Sequence, residues 1–511
     1  MMLLVLFPFL VPCFQDDPAV TAPELRAHVR FLAGDALQGR RAGTPFAGRA
    51  AFYLAGALAE AGLEPAGEDG SWFQSFEIDL PPEAGNCRLQ FPGSSQADLD
   101  EWSGLGTLEL SATAKVTAPL VSVGYGTVLE SHGLDPYADS RAKGKIVLMR
   151  RYTEFGPAPP AEYAPLGNLR VKVRHAAEAG AVGVILGTHP DEVAKGGKAV
   201  IPFDSAPGTM SIPVVTVAPE RFAQLEGVLA EKGSAGLGPV VLHAEVKRLR
   251  ARTENVLGLL PGKSPETLVL GAHYDHLGWG GEGSLAPGVH AIHNGADDNA
   301  SGTAMLLEIA EALADAGEPP ERSILIALWG AEEEGLLGSQ YWVAHPTVAR
   351  GRILCNVNLD MVGRPASGSI TVGSQNTADA FLSALKDAQE EVPDLELALS
   401  QGDLPGGGGS DHMSFLSQGI PALFFFSGLH ADYHKPGDDW EKLDFDTMAV
   451  LGDQVLILLD DLTRADRESF AFHEPVQEKR EPGPRSGERV WFGSIPDYGA
   501  RPEGGGMWLA G

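Results

Sequence analysis

Five short segments place histidine or carboxylate side chains where apolar runs end, an arrangement suited to holding metal ions. In VLGAHYDHLGWG a strand-like run closes on His273, and Asp275 follows two residues later. Imidazole is a common zinc ligand, and a nearby carboxylate can accept the other ring N–H and fix the tautomer. In HNGADDNASG a polar turn leads into a helix at Ser301 and Gly302. There Asp297 or Asp298 could bridge two metals or merely cap the helix. ALWGAEEEGLLGSQ sets Glu332, Glu333 and Glu334 directly after an apolar run, so that one could ligate while a neighbour acts as base. NLDMVG buries Asp360 at the end of an apolar strand, where an unpaired carboxylate is costly and needs a metal or another cation. ADYHKPGDD offers His434, which alone would read as a surface histidine. Taken together, two imidazoles and three carboxylates suit zinc, with cobalt or manganese also compatible. Five protein ligands exceed what one catalytic zinc takes, so two ions sharing a carboxylate fit better.

The elements around these segments say how they would be positioned. From Asn255 onward, apolar strands (TLVLGAH, RSILIALWG, GRILCNVNLDM, PALFFF) alternate with amphipathic helices such as ASGTAMLLEIAEALADAG and FDTMAVLGDQVLILLDDLTR. This pattern predicts an α/β sandwich with a mostly parallel sheet, whose ligands bind beyond the carboxyl ends of the strands. Residues 22–66 hold two amphipathic helical stretches separated by the Gly-rich loop GRRAGTPFAG. From Thr113 to Val246 the pattern changes to short β-branched runs, APLVSVGYG, GKIVLMRR, AVGVILGT and IPVVTV, with one helix-like VKVRHAAEAG. That stretch reads as a separate module without chemistry of its own, suited to a lid or a wall beside the substrate.

The five motifs, in this order, resemble the M28 family of zinc exopeptidases. The resemblance implies a three-layer sandwich with a mixed, mostly parallel central sheet, two Zn2+ per chain (Co2+ or Mn2+ possible) and a hydrolase acting on peptides, first of all an aminopeptidase. It implies metal ligands His273, Asp298, Glu333, Asp360 and His434, with Asp298 bridging. It implies Glu332 as general base, Asp275 behind His273, and Tyr433 as a residue that polarises the scissile carbonyl. Ser410, Asp411 and His412 in GGGGSDHMSF would shape the site. His276, His290, His293, His412 and His430 would have supporting or surface roles, and Glu334 a solvated or helix-start role. Residues 113–248 resemble an inserted protease-associated (PA) domain. The resemblance also leaves room for a glutamate carboxypeptidase-like dipeptidase, a single-zinc glutaminyl cyclase-like enzyme or a receptor without activity, the last disfavoured because every ligand position and the base are filled.

The remaining expectations come from composition and the ends. Lys+Arg 38 against Asp+Glu 68 gives a net charge of −30, which argues against nucleic acid and anionic membrane as partners; peptides with a free N-terminus are the partners that the family resemblance implies. The apolar run Met1–Phe14, followed by Asp16 and Asp17, reads as a signal peptide over residues 1–16 and predicts export to a periplasmic or extracellular space. A lipid anchor at Cys13 is the subordinate reading, because Pro12 stands where a small residue is needed. Cys87 and Cys355 are expected to be buried singly. No later segment is long and apolar enough to span a membrane. The expected layout is then residues 17–112 and 249–465 for the catalytic domain, 113–248 for the insert, and 466–511 for a Pro/Gly-rich linker ending in RVWFGSIPDYGARPEGGGMWLAG, which resembles the opening strands of a PDZ domain.

Overall fold

A computed structural model describes residues 19–91, 101–102, 105–206, 208–281, 283–365, 368–400, 409–475, 496–497 and 508–509. The signal-peptide, Cys13 and PDZ readings fall largely outside the described residues; of the last, only a two-residue pairing of Pro496–Asp497 with Trp508–Leu509 is described. The chain forms two compact units, one reaching to Ile78 and resuming at Ala251, the other running from Asp79 to Arg250.

The first unit is built on a mixed nine-stranded sheet. Ser264–His273 lies parallel to Arg322–Trp329 on one side and to Ile353–Leu359 on the other, and Ile353–Leu359 is parallel to Ala422–Phe426. Antiparallel strands flank this core: Arg250–Leu260 beside Arg322–Trp329, and Ser369–Gly373 beside Ala422–Phe426. Because successive side chains of a strand point to opposite faces, Leu268, Leu270 and Ala272 enter one hydrophobic cluster and Val269 the other. The larger cluster takes the helices Ala22–Leu32, Pro45–Glu60, Gly302–Asp315, Asp379–Glu391 and Phe445–Arg464. Trp342 and Phe415, from the helices Leu337–Ala344 and His412–Leu416, cover the opposite face. The result is the three-layer α/β sandwich expected.

Local sequence explains the helices. Ala22–Leu32 starts where the Thr21 hydroxyl accepts the Glu24 N–H, with Pro23 in the first turn, and it buries Leu25, Val29 and Leu32 at helical spacing. Each such buried leucine contributes about 2 kcal/mol. Phe445–Arg464 is capped by Asp444, whose carboxylate accepts the Thr447 N–H.

The second unit has an eight-stranded sheet with Ala114–Ser122, Ile146–Arg150, Gly183–Gly187 and Val214–Val217 parallel at its centre, matching the four β-branched runs. Its sheet begins upstream of the expected boundary at 113. Arg88–Gln90 pairs with Pro239–Ala244, Gly106–Thr107 pairs with Val214–Val217, and Leu89, Phe91, Trp102 and Leu108 fill its cores. Of Cys87 and Cys355, Cys355 is fully buried as expected, whereas Cys87 is only half-buried; both are free thiols. Among the described residues no helix is long and apolar enough to cross a membrane.

Candidate metal centre

The residues singled out from sequence converge at the carboxyl edge of the parallel strands, as expected for an open α/β sheet. His273 is the last residue of its strand, Glu332 and Glu333 follow Arg322–Trp329, and Asp360 follows Ile353–Leu359. Asp298 sits in an irregular turn before the helix Gly302–Asp315, and His434 in the loop before the final helix. The backbone bends through left-handed φ at Ala331 (59°), Met361 (49°) and His434 (53°), conformations that non-glycine residues adopt at a cost and that cluster at functional sites.

Asp298 lies between the two histidines. His273 Nε2 is 3.3 Å from Asp298 Oδ1 and 3.4 Å from Asp360 Oδ1. His434 Nε2 is 3.1 Å from Asp298 Oδ2 and 3.3 Å from Glu333 Oε2. Each imidazole has its other nitrogen committed to a backbone carbonyl: His434 Nδ1 to Gly283 at 2.8 Å and His273 Nδ1 to Asp275 at 3.2 Å. With those nitrogens donating, a neutral imidazole would turn an Nε2 lone pair toward carboxylate lone pairs, whereas a protonated one turns an N–H. The lone-pair arrangement is repulsive unless positive charge stands between them. His273 Nε2, Asp298 Oδ2 and Asp360 Oδ1 are indeed buried without a hydrogen-bond partner. Buried polar groups are seldom left so. The donor set of imidazole nitrogen and carboxylate oxygen therefore fits two ions of the zinc class. Two separate clusters each bring candidate ligand atoms within 4.8 Å of one another: His273 with Glu332 and Asp360, and His276 with Asp298 and Glu333.

The electrostatics agree. Burial pushes the Glu332 carboxyl well above the usual range, and the neighbouring Glu333, Asp411 and Asp360 push it further, against the pull of His273. Burial alone would lower the His434 pKa, but Glu333 and Asp298 outweigh it and raise it to about 9. Asp275 and Asp411 are each pushed up to about 7, chiefly by burial. An excess of buried carboxylates seeking cations is what these shifts describe.

Several supporting residues differ from expectation. Asp275 Oδ1 stands 3.8 Å from His273 Nδ1 but accepts the Glu332 backbone N–H at 3.0 Å, so it anchors the glutamate as much as the histidine. His276, for which a surface role was open, is fully buried with Nδ1 2.6 Å from Glu333 Oε1. His293, His412 and His430 also leave the surface: His293 bonds Ser284, His412 stacks on Phe424, and His430 lies 3.3 Å from Asp297. His290 stacks on Trp279. Glu334 is paired with Arg41 at 3.0 Å rather than simply solvated. Asp297, the alternative bridge, instead accepts the Gly363 N–H at 2.7 Å. Tyr433 stacks on the His434 ring with centroids 3.9 Å apart. Ser410 accepts from Asn358, and both Asp411 carboxylate oxygens are buried and without a hydrogen-bond partner.

Two supporting residues were not foreseen. Asp438 accepts the N–H groups of Asp297 and Asp298 and so holds the turn that carries Asp298. The GDD of the His434 segment was its only trace in the sequence. Arg40 is buried behind the same turn, and the Gly-rich loop containing it gave no sign of this.

Comparisons with known proteins follow the same outline. Residues 255–459 match the model of peptidase family M28, and residues 116–225 match the PA domain. The aminopeptidase YwaD of Bacillus subtilis is 27% identical over 71% of this chain and 71% of its own. The probable lipoprotein aminopeptidase LpqL of Mycobacterium tuberculosis is 30% identical over 61% of this chain, which spans 57% of that relative. Among solved structures, a zinc aminopeptidase from Bacillus subtilis superposes over 88% of this chain and 98% of its own, with a TM-score of 0.49 and 23% identity.

Proposed function

As the chain carries an M28 peptidase domain with an inserted PA domain and is related to zinc aminopeptidases of that family, we propose that it removes N-terminal residues from peptides at a two-zinc centre. His273, Asp298 and Asp360 would hold one ion, and Asp298, Glu333 and His434 the other. The observation that carries this reading is Asp298, whose two oxygens face the Nε2 atoms of different histidines. Bound there, zinc ions supply positive charge that polarises a peptide carbonyl and acidifies a water molecule.

The chain's own residues do the rest. The Glu332 carboxylate takes a proton from the attacking water and delivers it to the departing amine, a role that its proximity to His273 Nε2 at 3.9 Å supports. Asp275 keeps Glu332 in place through the backbone bond, and Gly283 and Asp275 carbonyls keep both imidazoles aimed by Nε2. Tyr433, fixed by its stack on His434, is assigned to the carbonyl oxygen of the scissile bond.

We further infer export, supported by the apolar run Met1–Phe14 and by a relative described as a probable lipoprotein. Zinc stoichiometry and a panel of free and N-blocked peptides test the activity. Two zinc ions per chain and cleavage confined to free N-termini are expected. One zinc ion, or equal cleavage of blocked peptides, would overturn the reading.

A further inference from the structure

The loop that precedes Pro45–Glu60 contains a guanidinium without any exposed surface. Gln38, Gly39 and Arg40 all adopt left-handed φ, at 44°, 69° and 47°. This turn drives the loop against the segment after His273: the Gly278 N–H donates to the Gly39 carbonyl at 3.0 Å, and the Trp279 indole N–H to Gln38 Oε1 at 3.0 Å. A side chain at Gly39 is excluded, since a Cβ there would lie 2.3 Å from the His293 carbonyl oxygen.

Behind this turn, Arg40 reaches four backbone carbonyls. Nε donates to Tyr274 at 2.8 Å, one terminal nitrogen to Leu32 at 2.5 Å and Asn294 at 2.8 Å, and the other to Gly295 at 3.0 Å. Tyr274 is the residue after His273. Asn294 and Gly295 begin the turn that ends in Asp298. Leu32 is the last residue of the helix Ala22–Leu32, whose terminal carbonyls lack partners within the helix. Burial lowers the Arg40 pKa to about 10, opposed by the nearby carboxylates of Asp275, Asp298, Asp438 and Glu333, so the group stays charged at neutral pH.

We propose that Arg40 is a positioning residue of the metal centre, its planar fork fixing the separation between the backbone that presents His273 and the backbone that presents Asp298. The inference rests on the two-zinc reading above. The guanidinium shape is essential to it. Five N–H groups in one plane serve four carbonyls arriving from different segments, whereas an ammonium is a single point that cannot reach all of them. Arg40→Lys therefore keeps the charge and loses the spacing.

The test compares the wild-type chain with Arg40→Lys by chelator-competition zinc titration, the visible spectrum of the cobalt form, and kcat and KM. Arg40→Lys is expected to keep its far-ultraviolet circular dichroism, to lose roughly 10–100-fold in zinc affinity, and to show altered cobalt bands. Its kcat should fall while KM stays within about threefold. Wild-type zinc affinity and cobalt bands in a merely less heat-stable variant would overturn the proposal. If Arg40→Lys does not fold, Arg40→Ala is titrated with methylguanidinium, which should restore zinc affinity. No restoration, or loss of folding in both variants whatever the zinc or methylguanidinium, would assign the residue to folding alone and overturn it. A wild-type chain holding fewer than two zinc ions would instead overturn the two-zinc reading.

Discussion

Asp275 accepts the backbone N–H of Glu332 at 3.0 Å while standing only two residues beyond His273. One carboxylate thereby ties the end of one strand to the turn after its parallel neighbour. Asp275→Asn keeps an acceptor of the same shape but removes the charge, whereas Asp275→Ala removes both. We expect kcat to fall roughly 10–100-fold in Asp275→Asn and further in Asp275→Ala. Steady-state kinetics on zinc-loaded protein measures this, and equal activity in all three would show the bond to be idle.

Glu332→Gln retains size and polarity but cannot take a proton. It should still bind two zinc ions while losing roughly 100- to 10,000-fold in kcat. Metal analysis and turnover are read on the same sample, and near wild-type turnover would remove Glu332 from the role of base.

Glu334 is the contrasting case. Its pairing with Arg41 is partly exposed, and pairs of this kind contribute about 0–1 kcal/mol. Glu334→Gln should therefore keep turnover within about threefold of wild type and leave the thermal midpoint nearly unchanged. A loss as large as that of Glu332→Gln would mean that the base had been assigned to the wrong glutamate.

His412 predicts a pH dependence of stability. Burial pushes its pKa down to about 3 in the folded chain, against the ordinary value of 6.5. As pH falls below 6.5, the unfolded chain takes up a proton that the folded chain refuses, so stability is lost on acidification through the window from 6.5 to 3. Between pH 7 and 5 the term amounts to about 2 kcal/mol. His412→Leu lacks it, so urea unfolding of the metal-free proteins should show a shallower loss for the variant. Parallel slopes would place the His412 titration elsewhere.

The convergence of the candidate site was legible because its proposed ligands interrupt apolar runs. Asp360 after NL and the glutamates after ALWG break a pattern that otherwise predicts only buried strand, and the sheet brings those breaks to one edge. The choice between Asp297 and Asp298 was not legible from spacing, since adjacent carboxylates differ only in which way the turn points them. Arg40 was not legible either: two of its carbonyl partners lie more than 250 residues away, and carbonyls leave no mark on residue type. The upstream strands of the second unit escaped for a different reason. Arg88–Gln90 and Gly106–Thr107 are strands of three and two residues, too short to show an alternation.

The bond from His434 to the Gly283 carbonyl has a consequence for exchange. His273 and Asp360 close or directly follow central strands, but His434 is held by a glycine-rich segment, with the Leu285 N–H returning to the His434 carbonyl at 2.9 Å. If His434 ligates as proposed, the two halves of the centre are expected to differ in lability. His434 rests on loop against loop even though Glu333 follows a central strand, so its half is the one through which an ion would first escape to a chelator, and it would offer a route to preparations carrying different metals in the two positions.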